Sequence, residues 1–273
     1  KFIPLRTFTS IMLRDMKTLG AKMDAARGVP IIHLNFLGYD EHSHRRGPGS
    51  LYAHWTLKGI DYCIGRLYRT AMLNAKRKYQ VWIYSDHGQE KVVPYHRYAG
   101  KPIAQAVTEV LRQQGVDLEE LRAEQMKRRD TRGAWLRKAP ARKQVAEKKV
   151  EEEVLDAKKE PKITNKGPVS NVYLFVELEE QLRDRIAEAL VRDAKIPMVM
   201  VREGGLAAVF TTAGRFQLPR DARVVLGEDH PFAEQVAEDL VTLAHHPHAG
   251  NFVLLGLQPG KPYVTFAVEN GSH

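Results

Sequence analysis

Val81-Trp82-Ile83-Tyr84-Ser85-Asp86-His87-Gly88 is an apolar run that stops at a carboxylate, an imidazole and a glycine. Its β-branched and aromatic residues favour a strand. In an open α/β sheet, chemistry collects beyond the carboxyl ends of the strands. A second stretch repeats the pattern: Ile31-Ile32-His33-Leu34-Asn35-Phe36-Leu37-Gly38-Tyr39-Asp40 runs into Glu41-His42-Ser43-His44. Two strands that each end in Asp and His predict a metal site at one edge of a sheet.

Outward from these stretches the order reads helix, strand, helix, strand. Phe8, Ile11, Met12, Met16, Leu19 and Met23 recur at three- and four-residue steps, predicting a helix over 5–27 with its Met and Leu side chains in the core. Gly28 and Pro30 end it and admit a strand at about 30–37. Residues 38–50, dense in polar residues and turn formers, read as a loop. Ser50 then caps a helix of about 51–77, and a second strand spans 80–85. That order indicates a right-handed βαβ unit. Further on, a helix is expected at 101–114, strands at 172–176 and 196–201, and a hairpin of 206–211 with 223–226. A helix opening at Asp229 or His230 and short strands at 252–255 and 263–268 follow. The expected fold is α/β, a mostly parallel central sheet with helices on both faces and a charged insertion. The expected organisation is a metal-site core over 1–117, a charged helical or partly disordered insertion over 118–166, and the rest of the α/β domain over 167–273.

Composition sets limits. A chain of 273 residues can bury a sizeable core, and its net charge of +9 suits an anionic substrate or partner. The single cysteine, Cys63, excludes a disulfide framework and a Cys-rich zinc site, and reads as a small buried residue. No apolar run approaches the ~20 residues that span a bilayer. No signal peptide opens the chain. It begins without Met, directly in a helical pattern, and so reads as a piece of a longer protein. The 118–162 stretch mixes both charge signs. Trp135 is its one aromatic, so it offers no stacking series and no specific nucleic-acid partner is expected.

The ligand-capable residues at strand ends are Asp40, His42, His44, Asp86, His87 and, after the last strand, His273. Carboxylate oxygen plus imidazole nitrogen without thiolate suits a catalytic zinc, or manganese or iron. Asp40 and His44, four apart, can reach one ion. Gly88 lets the backbone turn so that Asp86 and His87 can share another. Two ions roughly 4 Å apart clamp a phosphoryl group during in-line displacement. His33, inside a strand, reads as a core histidine, and His54 as structural. His245, His246 and His248 read as a solvated helix end. Arg45, Arg46 and Lys91 suit either an anionic substrate or a plain surface.

The spacing Tyr39-Asp40-x-x-x-His44-x-x-Gly47-Pro48-x-Ser50, a helix with Ile60-Asp61 and Ile64, then Ser85-Asp86-His87-Gly88, resembles the type I phosphodiesterase/nucleotide pyrophosphatase family of the alkaline phosphatase superfamily. The likeness is close over about 29–90, and weaker at Glu269-Asn270-Gly271-Ser272-His273. It implies two zinc ions, one on Asp40, His44 and His273 and the other on Asp86 and His87. It implies an attacking Thr or Ser hydroxyl and a further Asp ligand upstream of Lys1, with a covalent phospho-enzyme in the cycle. The implied activity is hydrolysis of phosphate diester or pyrophosphate bonds in a small phosphorylated substrate. An extracytoplasmic or membrane-associated parent is implied as well. The alternatives are another hydrolase of the superfamily (phosphomonoesterase, sulfatase or phosphonate hydrolase) or a non-catalytic polyanion-binding module.

Overall fold

The computed structural model describes residues 3–133 and 160–273, with side chains over 8–125 and 160–273. In chain order the elements are α1 (Ile3–Arg27), α2 (Tyr39–Arg46), α3 (Leu51–Met72), β1 (Glu90–Lys91), β2 (Val93–Pro94), α4 (Tyr95–Ala99), α5 (Ile103–Gln113), α6 (Leu118–Gly133), β3 (Lys162–Lys166), β4 (Val169–Tyr173), α7 (Glu180–Arg192), β5 (Met198–Glu203), β6 (Leu206–Thr211), β7 (Gly214–Leu218), α8 (Ala222–Leu226), α9 (Ala233–His245), β8 (Phe252–Leu255), β9 (Val264–Thr265) and β10 (Gly271–Ser272). They form two compact units, Lys1–Val92 with Val268–His273, and Val93–Ala267.

In the first unit α1 packs on α3 through short side chains. Thr18, Ala21 and Ala25 are buried on α1, and Ala53, Ile60 and Cys63 on α3. The Cys63 thiol points to Asp15 Oδ1 at 3.6 Å. The predicted core stripe lies on the outside instead: Phe8, Met12, Met16, Leu19 and Met23 are exposed. Small residues let two helices close up, and that contact selects the Thr/Ala face over the more hydrophobic one.

The expected strands at 30–37 and 80–85 form no ladder among the described residues, and both run as irregular chain. They lie alongside each other. The Tyr79 hydroxyl donates to the Val29 carbonyl at 2.7 Å, and the Tyr84 hydroxyl lies 3.3 Å from the His33 ring. Their apolar side chains face outward, with Ile31 81% and Trp82 82% exposed. His33 is likewise exposed rather than a core histidine. β-propensity describes a side chain's fit to a pleated surface, whereas a ladder also needs a partner's N–H and C=O groups.

The expected loop at 38–50 contains α2. Gly38, at φ +116°, turns the chain into it, and its N–H donates to Glu41 Oε2 at 2.7 Å. At the other end, the last carbonyls of a helix lack intrahelical partners. Asn270 supplies them: its N–H donates to the His44 carbonyl and its Nδ2 to the Arg45 carbonyl, each at 2.6 Å. β10 pairs antiparallel with β1, Glu90 opposite Ser272 and Lys91 opposite Gly271. Gly271 lies so close to α2 that a β-carbon on it would meet the Ser43 carbonyl oxygen at 2.4 Å.

The second unit carries a six-stranded sheet of order β3-β4-β8-β5-β6-β7 in which every neighbouring pair is antiparallel. The mostly parallel sheet expected from sequence is therefore corrected: the one parallel pair among the described residues is β2 with β9. Helices do cover both faces of the six-stranded sheet. Val199, Val201, Phe210 and Leu254 pack with Val107 of α5 and Ile186 and Leu190 of α7. Met198, Met200, Val209 and Leu255 pack with Val225 of α8 and Ala233 and Ala237 of α9. Runs such as Met198–Val201 are apolar on both sides because both sides are covered, a pattern shared with parallel sheets. The turns separate the two cases. Gly204-Gly205 joins the paired residues Glu203 and Leu206, with Gly204 at φ +57°, as a two-residue hairpin requires. β6 pairs with β5 and β7, while the segment expected as its partner, 223–226, lies in α8.

The charged stretch begins docked rather than solvated. Arg122 on α6 is buried, and its Nε and Nη2 donate to the Leu174 carbonyl at 3.1 and 2.6 Å. Gln125 Nε2 donates to the Glu177 carbonyl at 2.6 Å. The remainder of the expected insertion, 134–159, lies outside the described residues. No described helix is long and apolar enough to cross a membrane.

Gly271→Ala is expected to lift β10 from α2 and raise hydrogen–deuterium exchange at the Val92 and Asn270 amides. Exchange matching the parent would refute the close-packing argument. Tyr95 is buried and its hydroxyl donates to the Ala194 carbonyl. Tyr95→Phe strands that carbonyl and is expected to cost about 1–3 kcal/mol in urea unfolding at neutral pH. Burial raises the Tyr95 pKa, with the Glu109 and Tyr98 charges adding to it. Its contribution is complete below the usual tyrosine value of about 10 and is lost as pH climbs from there toward the folded value. Parent stability should fall in that range and fall less steeply in Tyr95→Phe. Equal slopes would contradict the assignment.

Candidate metal centre

Asp40 and His44 sit one turn apart on α2, so their side chains share a face. β10, held on β1 and on the end of α2, carries His273 to the same place. The ligand-type atoms of Asp40, His44 and His273 all lie within 4.8 Å of one another. His44 Nε2 is 3.2 Å from Asp40 Oδ1, and His273 Nε2 is 3.9 Å from the same oxygen.

The other face of the His44 ring is held by acceptors. Nδ1 lies 2.8 Å from the Gly271 carbonyl oxygen and 2.9 Å from Glu269 Oε2. A carbonyl oxygen only accepts, so these partners assign the proton to Nδ1. In the neutral ring Nε2 turns its lone pair toward a carboxylate oxygen 3.2 Å away, a contact that either a second ring proton or a bound cation can satisfy. A metal fits the donor set. Two ligands about 2.1 Å from a tetrahedral ion stand ~3.4 Å apart, and the observed 3.2 and 3.9 Å bracket that separation.

Asp86 and His87 border this group without entering it. The His87 ring stacks on His273, centroids 3.7 Å apart and planes 23° apart. Its Nδ1 lies 2.9 Å from the Gly88 carbonyl oxygen, and its Nε2 3.9 Å from Asp86 Oδ2. The Asp86 side chain is largely exposed. No second group of three such donors forms among the described residues. His42 turns to other work, packing edge-on against Tyr52 with centroids 4.8 Å apart. Burial pulls its pKa down, Glu41 opposes that, and Arg46 and Arg45 reinforce it. The Arg46 guanidinium stands 5.0 Å from the Tyr52 ring centroid. His54 is exposed, and His245 Nε2 lies 2.9 Å from the Leu206 carbonyl oxygen.

Two residues at the site escape a reading by ligand type. Glu269 touches His44. Gln89 Nε2 donates to Asp40 Oδ1 at 2.5 Å, while its Oε1 is buried without a hydrogen-bond partner. Each adjoins a stretch picked out for its histidine. The available signal is an acid or amide next to a ligand motif, where partners that orient the ligands are found.

Comparison with curated proteins and with solved structures gives no match. The family profile "Type I phosphodiesterase / nucleotide pyrophosphatase" matches residues 13–211, a span that contains Asp40, His44, Asp86 and His87 and stops short of His273. Covering well over half of the chain, that match shows that it belongs to the type I phosphodiesterase/nucleotide pyrophosphatase family.

Proposed function

We propose that this chain forms part of a metal-dependent hydrolase acting on a phosphate diester or pyrophosphate bond of a small phosphorylated substrate. Asp40, His44 and His273 would hold one ion, and Asp86 and His87 would serve a second. Zinc is the first choice, with manganese or iron suited to the same donors. The observation that carries the reading is the His44 ring, whose Nδ1 faces a carbonyl oxygen while its Nε2 faces Asp40. A divalent ion bound there supplies Lewis acidity and positive charge for a phosphoryl oxygen.

The chain's own residues prepare that site. α2 presents Asp40 and His44 together, and β10 brings His273. Arg45 and Arg46 follow directly in the last turn of α2, where their charge favours approach of an anionic phosphoester. Nearby hydroxyls have other settings: Ser85 Oγ donates to the His87 carbonyl at 2.6 Å, and Ser43 Oγ is buried. The reading therefore places the attacking hydroxyl outside the described residues.

The test uses the full natural protein, assayed on a nitrophenyl phosphate diester, the monoester and the sulfate ester. Turnover should be fastest on the diester, vanish with a chelator and return with zinc. Asp40→Ala and His44→Ala should each lower kcat/KM at least ~100-fold, equivalent to about 2.7 kcal/mol of transition-state stabilisation. Preference for the monoester or sulfate would move the protein to another hydrolase class. Metal-free protein that binds polyanions in a salt-sensitive way, with no turnover, would replace hydrolysis with a binding role.

A further inference from the structure

We infer that Glu269 and Gln89 are positioning residues of the metal centre, Glu269 acting through His44 and Gln89 through Asp40. This rests on the reading of Asp40, His44 and His273 as metal donors.

An imidazole ligates through one nitrogen, and what the other nitrogen meets decides tautomer, ring angle and basicity. For His44 the outer nitrogen is Nδ1, and both atoms near it are acceptors, the Gly271 carbonyl oxygen and Glu269 Oε2. The carbonyl alone favours a proton on Nδ1. The carboxylate adds a negative charge at 2.9 Å, on a side chain that is only 14% exposed and so weakly screened. That charge draws the Nδ1 proton and enriches the lone pair on Nε2. Glu269 therefore tunes a donor that the backbone has already oriented.

Gln89 acts on the other donor. A carboxylate on a short side chain can rotate about χ2, and a fixed N–H donor stops that rotation. Gln89 Nε2 donates to Oδ1 of Asp40, the same oxygen that faces both histidine Nε2 atoms. The Gln89 Oε1 is buried, and a β-carbon on Gly271 would crowd it at 3.1 Å. Gly271 thus gives its carbonyl to His44 and, by lacking a side chain, leaves room for Gln89. One residue of β10 serves both donors.

The test measures Zn2+ affinity by competition with a chromophoric chelator, together with the metal-free thermal midpoint. It also records the 15N shifts of His44 in metal-free protein. Glu269→Ala and Gln89→Ala should each weaken Zn2+ binding about 10–100-fold with little change in the metal-free midpoint. Glu269→Gln, which keeps the shape and removes the charge, should weaken it about tenfold and shift the His44 Nε2 resonance. It also serves if the alanine variant fails to fold. Affinities within twofold of the parent for Glu269→Gln and Gln89→Ala, while His44→Ala loses the ion, would overturn this inference and leave the metal reading standing. Parent-like affinity in Asp40→Ala and His44→Ala would overturn both.

Discussion

Asn270 closes the C-terminal end of α2. A helix of eight residues has too few internal hydrogen bonds to stand alone in water. Its exposed carbonyls are its weak point, and Asn270 meets two of them, one with its backbone and one with its side chain. The same contact sets the register of β10 on β1, since the Asn270 carbonyl accepts the Val92 N–H at 3.2 Å. With the register set, Gly271 faces His44 and His273 falls beside Asp40. A loss of Asn270 would loosen a helix end and the placement of His273 in one step, so folding of this segment and assembly of the Asp40–His44–His273 group are coupled.

The legibility of the site follows from where its contacts lie along the chain. Asp40 and His44 are four apart, and a four-residue step can be read without knowing the fold. Placing them in a loop missed Gly38 and Glu41, which open a helix and turn that step into one helical turn. Asp86-His87 stood out most clearly because it follows an apolar run, yet it borders the group of three. His273, the faintest of the sequence candidates, is a member of that group. Its placement depends on pairing between 90–91 and 271–272, which no local pattern encodes. Gln89 escapes for a related reason: an amide that donates to a ligand-type carboxylate carries no ligand signature of its own.

The fold shows the same division between local and distant information. α1, α3 and α5 stand close to where three- and four-residue periodicity puts them. Strand direction was misread because covered strands look alike whether parallel or antiparallel, and Met198–Val201 and Phe252–Leu255 are covered on both faces. Gly204-Gly205 between two apolar runs was the overlooked hairpin signal. The irregular segments 31–37 and 81–85 are the opposite case. Their composition suits a strand, and the Tyr84 hydroxyl bridges to His33 between them, but no backbone ladder forms on them among the described residues.

Charge balance sets the character of the group around His44. The His44 ring stands between two carboxylates, Glu269 at Nδ1 and Asp40 beyond Nε2. The Gly271 carbonyl oxygen favours a proton on Nδ1, so in the neutral ring the Nε2–Asp40 contact has no donor. Gln89 relieves it only in part by donating to Asp40 while its own carbonyl oxygen goes unpartnered. A buried polar atom without a partner costs about 1–3 kcal/mol, and facing lone pairs add to that. An apolar replacement of these residues would avoid both costs, so packing alone does not explain their arrangement. A cation between Asp40, His44 and His273 would offset these costs, and that is the sense in which the arrangement supports the proposed metal site.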